Sequence, residues 1–262
     1  MTASAQPRGR NRAAACLHVL ARWAPLVIIA AAWEAAARAH LVSSLALPPL
    51  SAVAQAFLEL ARSGELLSHG LASLYRAGAG LALAIAAGTA LGIAMAMVRR
   101  LNAVLGPLVE VFYPMPKSAL IPVTVLWLGF GDASKILLIF LGCMLPVTLG
   151  AYNGARGSDR HLMWSARSMG SGRLRTVWDV VVPGALPELC NGIRTALALS
   201  FILLVSSELI VARQGLGYLI GDLGASGSYD AMFAVVLTVA GIGFVADRLY
   251  LVVVARVLRW RT

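Results

Sequence analysis

Charged side chains, lysines and cysteines are all scarce in this sequence of 262 residues, and each shortage excludes a class of protein. Asp, Glu, Lys and Arg make up 13% of the chain, against about 25% in an average soluble domain. Hydrophobic residues make up 59% and fall in long runs, which β-barrels, coiled coils and disordered chains lack. The three cysteines, Cys16, Cys143 and Cys190, are odd in number and far apart, which excludes a disulfide framework and a CxxC metal site. The composition therefore predicts an all-α, polytopic membrane protein.

Lysine occurs only twice, at Lys117 and Lys135, and this bears on ATP binding. A P-loop requires the pattern G-x-x-x-x-G-K-[ST], and only Lys117 is followed by a serine. Val111 and Pro116 stand where the pattern needs its two glycines. Any ATP-driven step must therefore use ATP bound by a separate subunit, and no cofactor is expected on this chain.

Motifs of intramembrane enzymes are also missing. The sequence contains neither GxSxG nor HExxH, and its four histidines lie in terminal or loop positions. No catalytic residue and no metal ligand is predicted, which leaves transport as the favoured class of function.

Six apolar runs are long enough to cross a bilayer, because a helix needs about 20 residues to span a hydrocarbon layer of about 30 Å. The first is the weakest, since Glu34 interrupts it and its Arg-rich leader also resembles a cleavable signal peptide. With either interpretation, the second run enters from the same side. The runs are approximately residues 23–39, 71–98, 103–128, 134–152, 184–211 and 231–254.

The basic residues between these runs indicate their orientation. Fifteen fall on the side of the N-terminus and four on the other, and cytoplasmic loops are the ones enriched in Lys and Arg. Both termini are therefore predicted to be cytoplasmic, with 1–22 as a basic segment and 23–262 as one transmembrane domain. Because the cations fall in short clusters and form no continuous stripe, no nucleic-acid partner is predicted. The four outer residues are Arg38, Arg62, Lys135 and Arg213.

Small residues recur every fourth position in the second run, at Gly80, Ala84, Gly88 and Gly92. They lie on one helical stripe, which favours close approach of a neighbouring helix.

Between the first and second runs, residues 51–63 predict a short helix along the outer surface. Its expected apolar face consists of Val53, Ala54, Phe57, Leu58 and Ala61.

The longest cytoplasmic loop, residues 155–182, predicts two short amphipathic helices. Gly170 permits a sharp turn between them, and Pro183 is expected to end the second. Their apolar faces either pack back on this chain or the lipid headgroups, or dock a partner. The apolar positions are Leu162, Ala166 and Met169, then Leu174, Val177, Trp178 and Val181.

The spacing in this loop resembles a family motif. Trp164-Ser165-Ala166, three residues, Gly170, nine residues and 180–183 ending in Pro183 is similar to the EAA loop of permeases of binding-protein-dependent ABC importers. Trp164 stands in the family's Glu position and Ser165 replaces the first Ala, so a contact made by that Glu does not carry over.

The wider chain, from residue 51 to 258, is similar to the nitrate, sulfonate and taurine branch of that family. The segments that carry the likeness are 47–57 (LPPLSAVAQAF), 114–136 (PMPKSALIPVTVLWLGFGDASKI), 165–189 (SARSMGSGRLRTVWDVVVPGALPEL) and 206–220 (SSELIVARQGLGYLI).

The resemblance implies a type I, MetI-like permease in the bacterial inner membrane. It implies a second permease copy (a homodimer), two cytoplasmic ATP-binding subunits and an external solute-binding protein. It also implies that the segment 158–183 seats on the ATPase through Trp164, Ser165, Ala166, Met169, Gly170, Val177 and Pro183.

The expected cargo is a small anion such as a sulfonate, nitrate or carboxylate. Neutral heterocycles or vitamin precursors remain an alternative cargo, and an ion-coupled secondary transporter remains an alternative mechanism.

Ionisable residues at membrane depth are costly and usually functional. Lys117 follows two prolines, Pro114 and Pro116, that break the helical ladder; it is expected either to line a pathway with them or to pair with Glu110. Glu208 is expected to line the pathway or to pair with Arg76. Arg194 and Glu188, near the inner end of the fifth run, are expected to snorkel to the interface.

Overall fold

The computed structural model describes residues 10–39, 41–43, 45–158 and 160–261. Over these residues the regular structure is helical. Short turns join the α-helices given below, and three short 3₁₀ or π-helical segments lie among them. The α-helices are α1 Arg10–Arg38, α2 Leu50–Ser63, α3 Glu65–Met97, α4 Arg99–Phe112, α5 Ile121–Leu128, α6 Asp132–Arg156, α7 Arg160–Ser168, α8 Arg173–Thr176, α9 Val182–Val211, α10 Leu216–Ala225 and α11 Tyr229–Val257.

Four of the described helical stretches are long and apolar enough to cross a membrane. They are α3, α6, α11 and the continuous stretch Leu174–Val211, and they correspond to four of the six predicted runs. The run 103–128 is bent by 99° between α4 and the stretch Lys117–Leu128, so that this pair counts as a fifth span at most. The run 23–39 falls largely in α1, and its retention as a span stays a prediction. Residues 1–9 of the predicted basic segment lie outside the described residues.

The seam between α3 and α6 is formed by the predicted small-residue stripe. A Cβ added at Gly80 would lie 2.8 Å from Ile139 Cβ, and one at Gly88 would lie 2.9 Å from the carbonyl oxygen of Met144. Ala84 between them is fully buried. The prediction of a close helix contact along this stripe is confirmed.

A second seam joins α6 to α9, again through glycines. A Cβ at Gly150 would lie 2.6 Å from the Glu188 carbonyl oxygen, and one at Gly154 the same distance from the Ala185 carbonyl oxygen. Since α6 packs on α3 by one face and on α9 by another, it is the central helix of the bundle. The apolar core around it includes Ala77, Leu138, Ile139, Cys143, Val147, Ala196 and Leu203.

The short helix predicted at residues 51–63 is confirmed as α2, but its predicted apolar face is wrong in part, and its position along the outer surface stays a prediction. Val53 is buried as expected, whereas Phe57 and Leu58 are exposed. The side chains that pack against α10 and α11 are those at every third or fourth position from Val53, because the partner helices cover only that narrow strip. These residues are Val53, Ala56 and Leu60.

Candidate functional site

The break between α4 and α5 is closed by Lys117. Its Nζ donates hydrogen bonds to the carbonyl oxygens of Phe112 (2.8 Å), Tyr113 (2.7 Å) and Met115 (2.8 Å). None of these carbonyls accepts the usual α-helical bond from four residues on, because the chain turns at the prolines instead of continuing α4; the Phe112 carbonyl accepts instead from the Met115 N–H at 3.3 Å. The ammonium thus caps the C-terminal end of α4, where the helix dipole is negative. Neither sequence expectation foresaw this cap, and Lys117 makes no ion pair with Glu110.

Beside this cap lies a cavity of about 500 Å³ between the broken helix, α6 and α9. Pro114 and Pro116 frame the break itself; Pro116 directly precedes the 3₁₀ turn Lys117–Leu120. Gly142 of α6 allows close packing here, since a Cβ there would collide with Leu203 Cδ1 of α9. The wall of the cavity is formed by Tyr113, Met115, Lys117, Ser118, Gly142, Leu145, Pro146, Thr195, Leu199, Ile202, Leu203 and Ser206.

At one end of the bundle, Glu208 of α9 is completely enclosed by hydrogen-bond donors. Its carboxylate accepts from Arg76 Nη1 at 2.6 Å, from Ser73 Oγ at 2.8 Å and from the Gly217 N–H at 3.0 Å. The predicted Glu208–Arg76 pair is therefore confirmed. Glu208 does not line the cavity beside Lys117, and its role in a substrate pathway stays a prediction.

Arg76 ties three helices and a loop together. Besides Glu208 on α9, its guanidinium donates to Asp132 Oδ1 on α6 at 2.7 Å and to the Gln214 carbonyl oxygen at 2.6 Å. The loop can close over the carboxylate because Gly215, at φ +127°, has no side chain; a Cβ there would collide with Glu208. We name Ser73, Arg76, Lys135 and Glu208 the buried cluster; the side chain of Asp132 is 53% exposed at its edge.

Lys135 is the member of the buried cluster that the sequence hid best. The sequence predicts it as one of the four basic residues of the outer segments, but it lies in α6 and is 1% exposed. Its Nζ donates to the carbonyl oxygens of Phe130 (2.6 Å) and Val211 (3.2 Å), at the ends of α5 and α9. Burial of this cation is tolerated because it is hydrogen-bonded to carbonyls that would otherwise be unpaired.

Arg194 of α9 forms a bidentate ion pair with Asp247 of α11. Nε lies 2.8 Å from Oδ1 and Nη2 lies 3.1 Å from Oδ2. The sequence did not indicate this partner for Arg194; that Arg194 and Glu188 snorkel to the interface stays a prediction.

At the opposite end of the bundle from the buried cluster, α7 ends in a Schellman turn. The Ser171 N–H donates to the Ala166 carbonyl oxygen and the Gly170 N–H to that of Arg167, both at 3.0 Å. This turn requires a left-handed residue, and Gly170 has φ +87°. The predicted sharp turn at Gly170 is confirmed.

Pro183 does not end the second helix of this segment, contrary to the expectation. A π-helical turn, Val177–Val181, joins α8 to α9, and the Val182 N–H donates to the Val177 carbonyl oxygen five residues back. The wider turn accommodates Pro183, which has no backbone N–H to donate. The helix therefore continues without a stop from Leu174 to Val211. The second amphipathic helix is thus continuous with a membrane span.

The predicted docking residues divide into two groups. Ala166 is buried, and Val177 packs with Met163 on Val181 at the base of the bundle. Trp164 and Met169 are 59% and 80% exposed, and Ser165 and Gly170 are exposed beside them. Two further apolar side chains of the amphipathic pattern, Leu174 and Trp178, are 78% and 67% exposed. We name Trp164, Met169, Leu174 and Trp178 the exposed apolar patch.

Among the described residues, no group of three or more His, Cys, Asp or Glu side chains is arranged to hold a metal ion. The geometry provides three features: a broken helix beside a cavity, an end of the bundle held together by the buried cluster, and a pair of helices that projects from the opposite end.

The chain is similar to known transport proteins over most of its length. Residues 88–259 match the family described as "Binding-protein-dependent transport system inner membrane component". It is 34% identical to the taurine transport system permease protein TauC of Escherichia coli (strain K12) over 85% of this chain and 82% of that protein. It is also 34% identical to SsuC of Bacillus subtilis (strain 168), named as an aliphatic sulfonates transport permease protein, over 90% of this chain and 86% of that one.

A likeness of fold agrees with these sequence matches. The solved structure of the MetNI methionine ABC transporter in inward-facing conformations matches 75% of this chain and 96% of its own chain, with a TM-score of 0.60 and 22% identity. The family match covers well over half of the chain. The protein therefore belongs to the family of inner membrane components of binding-protein-dependent transport systems, the ABC importer permeases.

Proposed function

We propose that this permease moves a small sulfonate-bearing anion, delivered by an external binding protein, through a pathway shared by two copies of the chain. ATP is bound and hydrolysed by two subunits of a separate ATPase. The names of TauC and SsuC, which specify taurine and aliphatic sulfonates, support the substrate class. The absence of a P-loop in the sequence supports the division of labour.

The observation that carries the proposal is the exposed apolar patch on a helix that continues into a membrane span. Four large apolar side chains project from the Arg-rich end of the bundle, where burial against a partner would remove them from water. Because Leu174–Val211 is one helical stretch, a force applied at Trp178 is transmitted to α9 without an intervening flexible joint.

We infer that this end of the bundle faces the cytoplasm, together with both chain termini. Arg99, Arg156, Arg167 and Arg175 all belong to elements at this end, as the excess of basic residues in cytoplasmic loops requires. The buried cluster then lies at the outer face. In this orientation the patch is on the side where ATP is available.

The mechanical step follows from differential binding. A partner shifts an equilibrium between inward-open and outward-open states only if it binds the two states with different affinity. The two ATPase subunits approach each other on binding ATP, so the segments 158–183 of two permease copies would be drawn together with them. The segment's own residues hold its shape: Gly170 sets the turn, and Ala166 and Val177 fix it to the bundle.

The test compares two glycines of the same turn. A Cβ at Gly170 or at Gly172 meets nothing within 4 Å, but only Gly170 has a positive φ. Gly170→Val should therefore distort the turn, insert normally in the membrane, and lose the ATPase chain on affinity purification. Gly172→Val should keep it. Normal recovery of the ATPase and normal transport by Gly170→Val would contradict the docking role.

The substrate class has its own test. Proteoliposomes that contain the permease, its ATPase and its binding protein should take up radiolabelled ethanesulfonate when ATP is enclosed with the ATPase. A neutral heterocycle such as a pyrimidine serves as the comparison. Uptake of the heterocycle alone would contradict the sulfonate assignment while leaving the coupling mechanism intact.

A further inference from the structure

The Arg194–Asp247 pair lies at membrane depth and yet is open. The side chain of Arg194 is 50% exposed and that of Asp247 is 29% exposed. Asp247 lies ten residues before the end of α11, about 15 Å along the helix. Ionised groups at this depth avoid lipid and face a protein interior or a watery cavity.

The surroundings of the pair are those of a cavity wall. A groove of about 550 Å³ between α9 and α11 has Arg194 and Asp247 in its lining, with Ser206 further along α9. The exposed side of α9 here also carries Asn191 and Thr195. A lipid-facing helix at this depth is expected to be uniformly apolar, as α3 is at Leu83 and its neighbours.

This groove adjoins the cavity beside Lys117. Ile202 and Ser206 line both, so the two spaces lie on either side of one ridge of α9. Lys117 contacts the cavity at the level of Leu203, which is nine residues, about 13 Å, from Arg194 along the helix. Two cations at two depths thus flank the same exposed face.

The two cations differ in what they have left to offer. Lys117 uses its ammonium on three carbonyl oxygens of α4. Arg194 uses Nε and Nη2 on Asp247, and its Nη1 has no hydrogen-bond partner among the described residues. A guanidinium with a free N–H fork edge is suited to a planar or tetrahedral oxyanion.

We propose that Arg194, held in place by Asp247, is the residue that contacts the anionic head of the solute as it passes along the exposed face of α9. The assignment rests on the proposed function. Asp247 fixes the guanidinium and neutralises it when no solute is present. It thereby keeps the affinity of the site for an anion low, which passage requires, since an unpaired cation would hold an anion too tightly to release it.

The test exploits the asymmetry between the two partners. In the assembled transporter, Arg194→Gln should lower ethanesulfonate uptake by about tenfold or more, as loss of a hydrogen bond to a charged group predicts. Arg194→Lys should retain part of the uptake. Asp247→Asn should lower both the KM and the kcat of uptake, because the cation is no longer neutralised and holds the anion longer. The ATPase chain should co-purify with all three variants.

The alternative is that the ion pair only holds α9 and α11 together. In that case loss of either partner leaves an unpaired charge at membrane depth. A KM that does not fall in Asp247→Asn would overturn the proposal, and so would normal uptake by Arg194→Gln. If the wild-type transporter moves no anion at all, the proposed function fails and this inference with it; failure in the variants alone overturns only the inference.

A second measurement does not depend on transport. In a Cys16→Ser background, Thr195→Cys is labelled with an anionic and with a cationic methanethiosulfonate reagent; Cys143 and Cys190 are buried. The anionic reagent should react faster, and Arg194→Gln should abolish that preference. Leu83→Cys, on the exposed apolar side of α3, is the control and should react with neither. If Thr195→Cys is as unreactive as Leu83→Cys, the face is not open to water and the proposal is wrong.

Discussion

Charged groups are enclosed and fully partnered at one end of this bundle, whereas large apolar side chains stand exposed at the other. Glu208 and Lys135 have almost no accessible surface, and each is surrounded by groups of complementary polarity. Trp164 and Trp178 are more than half exposed and make few contacts within the chain. Both arrangements run against the usual distribution of polar and apolar residues between surface and interior.

The difference shows which end of the bundle is stabilised by contacts within the chain and which end exposes a surface that a partner would cover. Satisfied hydrogen bonds in a low-dielectric interior hold one geometry strongly, because any displacement leaves a charge unpaired. An apolar surface holds no geometry until a partner covers it. The comparison therefore separates residues that determine stability from residues that determine assembly.

The largest effect should come from Glu208→Gln. Every group around the carboxylate is a donor, so an amide would place its own N–H groups against donors and leave Arg76 undercompensated. We expect a loss of roughly 3 to 5 kcal/mol in stability, the cost of breaking a buried pair. Thermal unfolding of the purified protein in detergent measures it, with Glu59→Gln on the exposed side of α2 as the control. Equal melting temperatures for the two variants would remove the distinction between the ends.

An intermediate effect is expected at the α3–α6 seam, which extends the rigid part of the bundle. A Cβ at Gly92 would collide with the Thr148 carbonyl oxygen, which is backbone and yields poorly. Gly92→Ala should cost about 1 to 3 kcal/mol, as overpacking does. Gly78→Ala, on the same helix with nothing within 4 Å, should be neutral or stabilising by up to about 1 kcal/mol. If unfolding measurements give both variants the same sign, the seam is looser than the structure indicates.

The smallest effect on stability should follow from the double variant Trp164→Ser with Trp178→Ser. Neither side chain is part of the core, so we expect unfolding to change by no more than about 0.5 kcal/mol. Co-purification of the ATPase should nevertheless be lost. Leu67→Ser, an exposed apolar residue at the other end of α3, should leave the ATPase bound. A double variant that unfolds readily would mean that the patch belongs to the core after all.

Several features could be predicted from the sequence because they depend on spacing along one helix. The small residues Gly80, Ala84, Gly88 and Gly92 recur every four positions, and this spacing alone predicts the close helix contact. Gly170 stands between two amphipathic patterns, which alone predicts the turn. The Glu208–Arg76 pair was legible for another reason: two opposite charges at the same depth of neighbouring spans have few other partners.

Other features depend on how distant segments meet, and the sequence could not specify them. Asp247 is 53 residues from Arg194, and only the packing of α11 on α9 brings the two together. The cap formed by Lys117 arises from the direction of the break, and the π turn at 177–181 overrides the usual stop at Pro183. The signal for Lys135 was available, since Asp132 and Lys135 sit at the start of an apolar run and a cation there can reach the ends of neighbouring helices.

The continuous stretch from Leu174 to Val211 also sets a ratio of displacements. Glu208 is fastened within the buried cluster, Trp178 lies about 45 Å away along the helix, and Arg194 about 21 Å away. If the fastened end serves as a fulcrum, a sideways excursion of about 4 Å at the tryptophan becomes about 2 Å at the guanidinium, by proportion of these helix lengths. A large movement of the helix outside the bilayer would then produce a smaller movement of Arg194 within it.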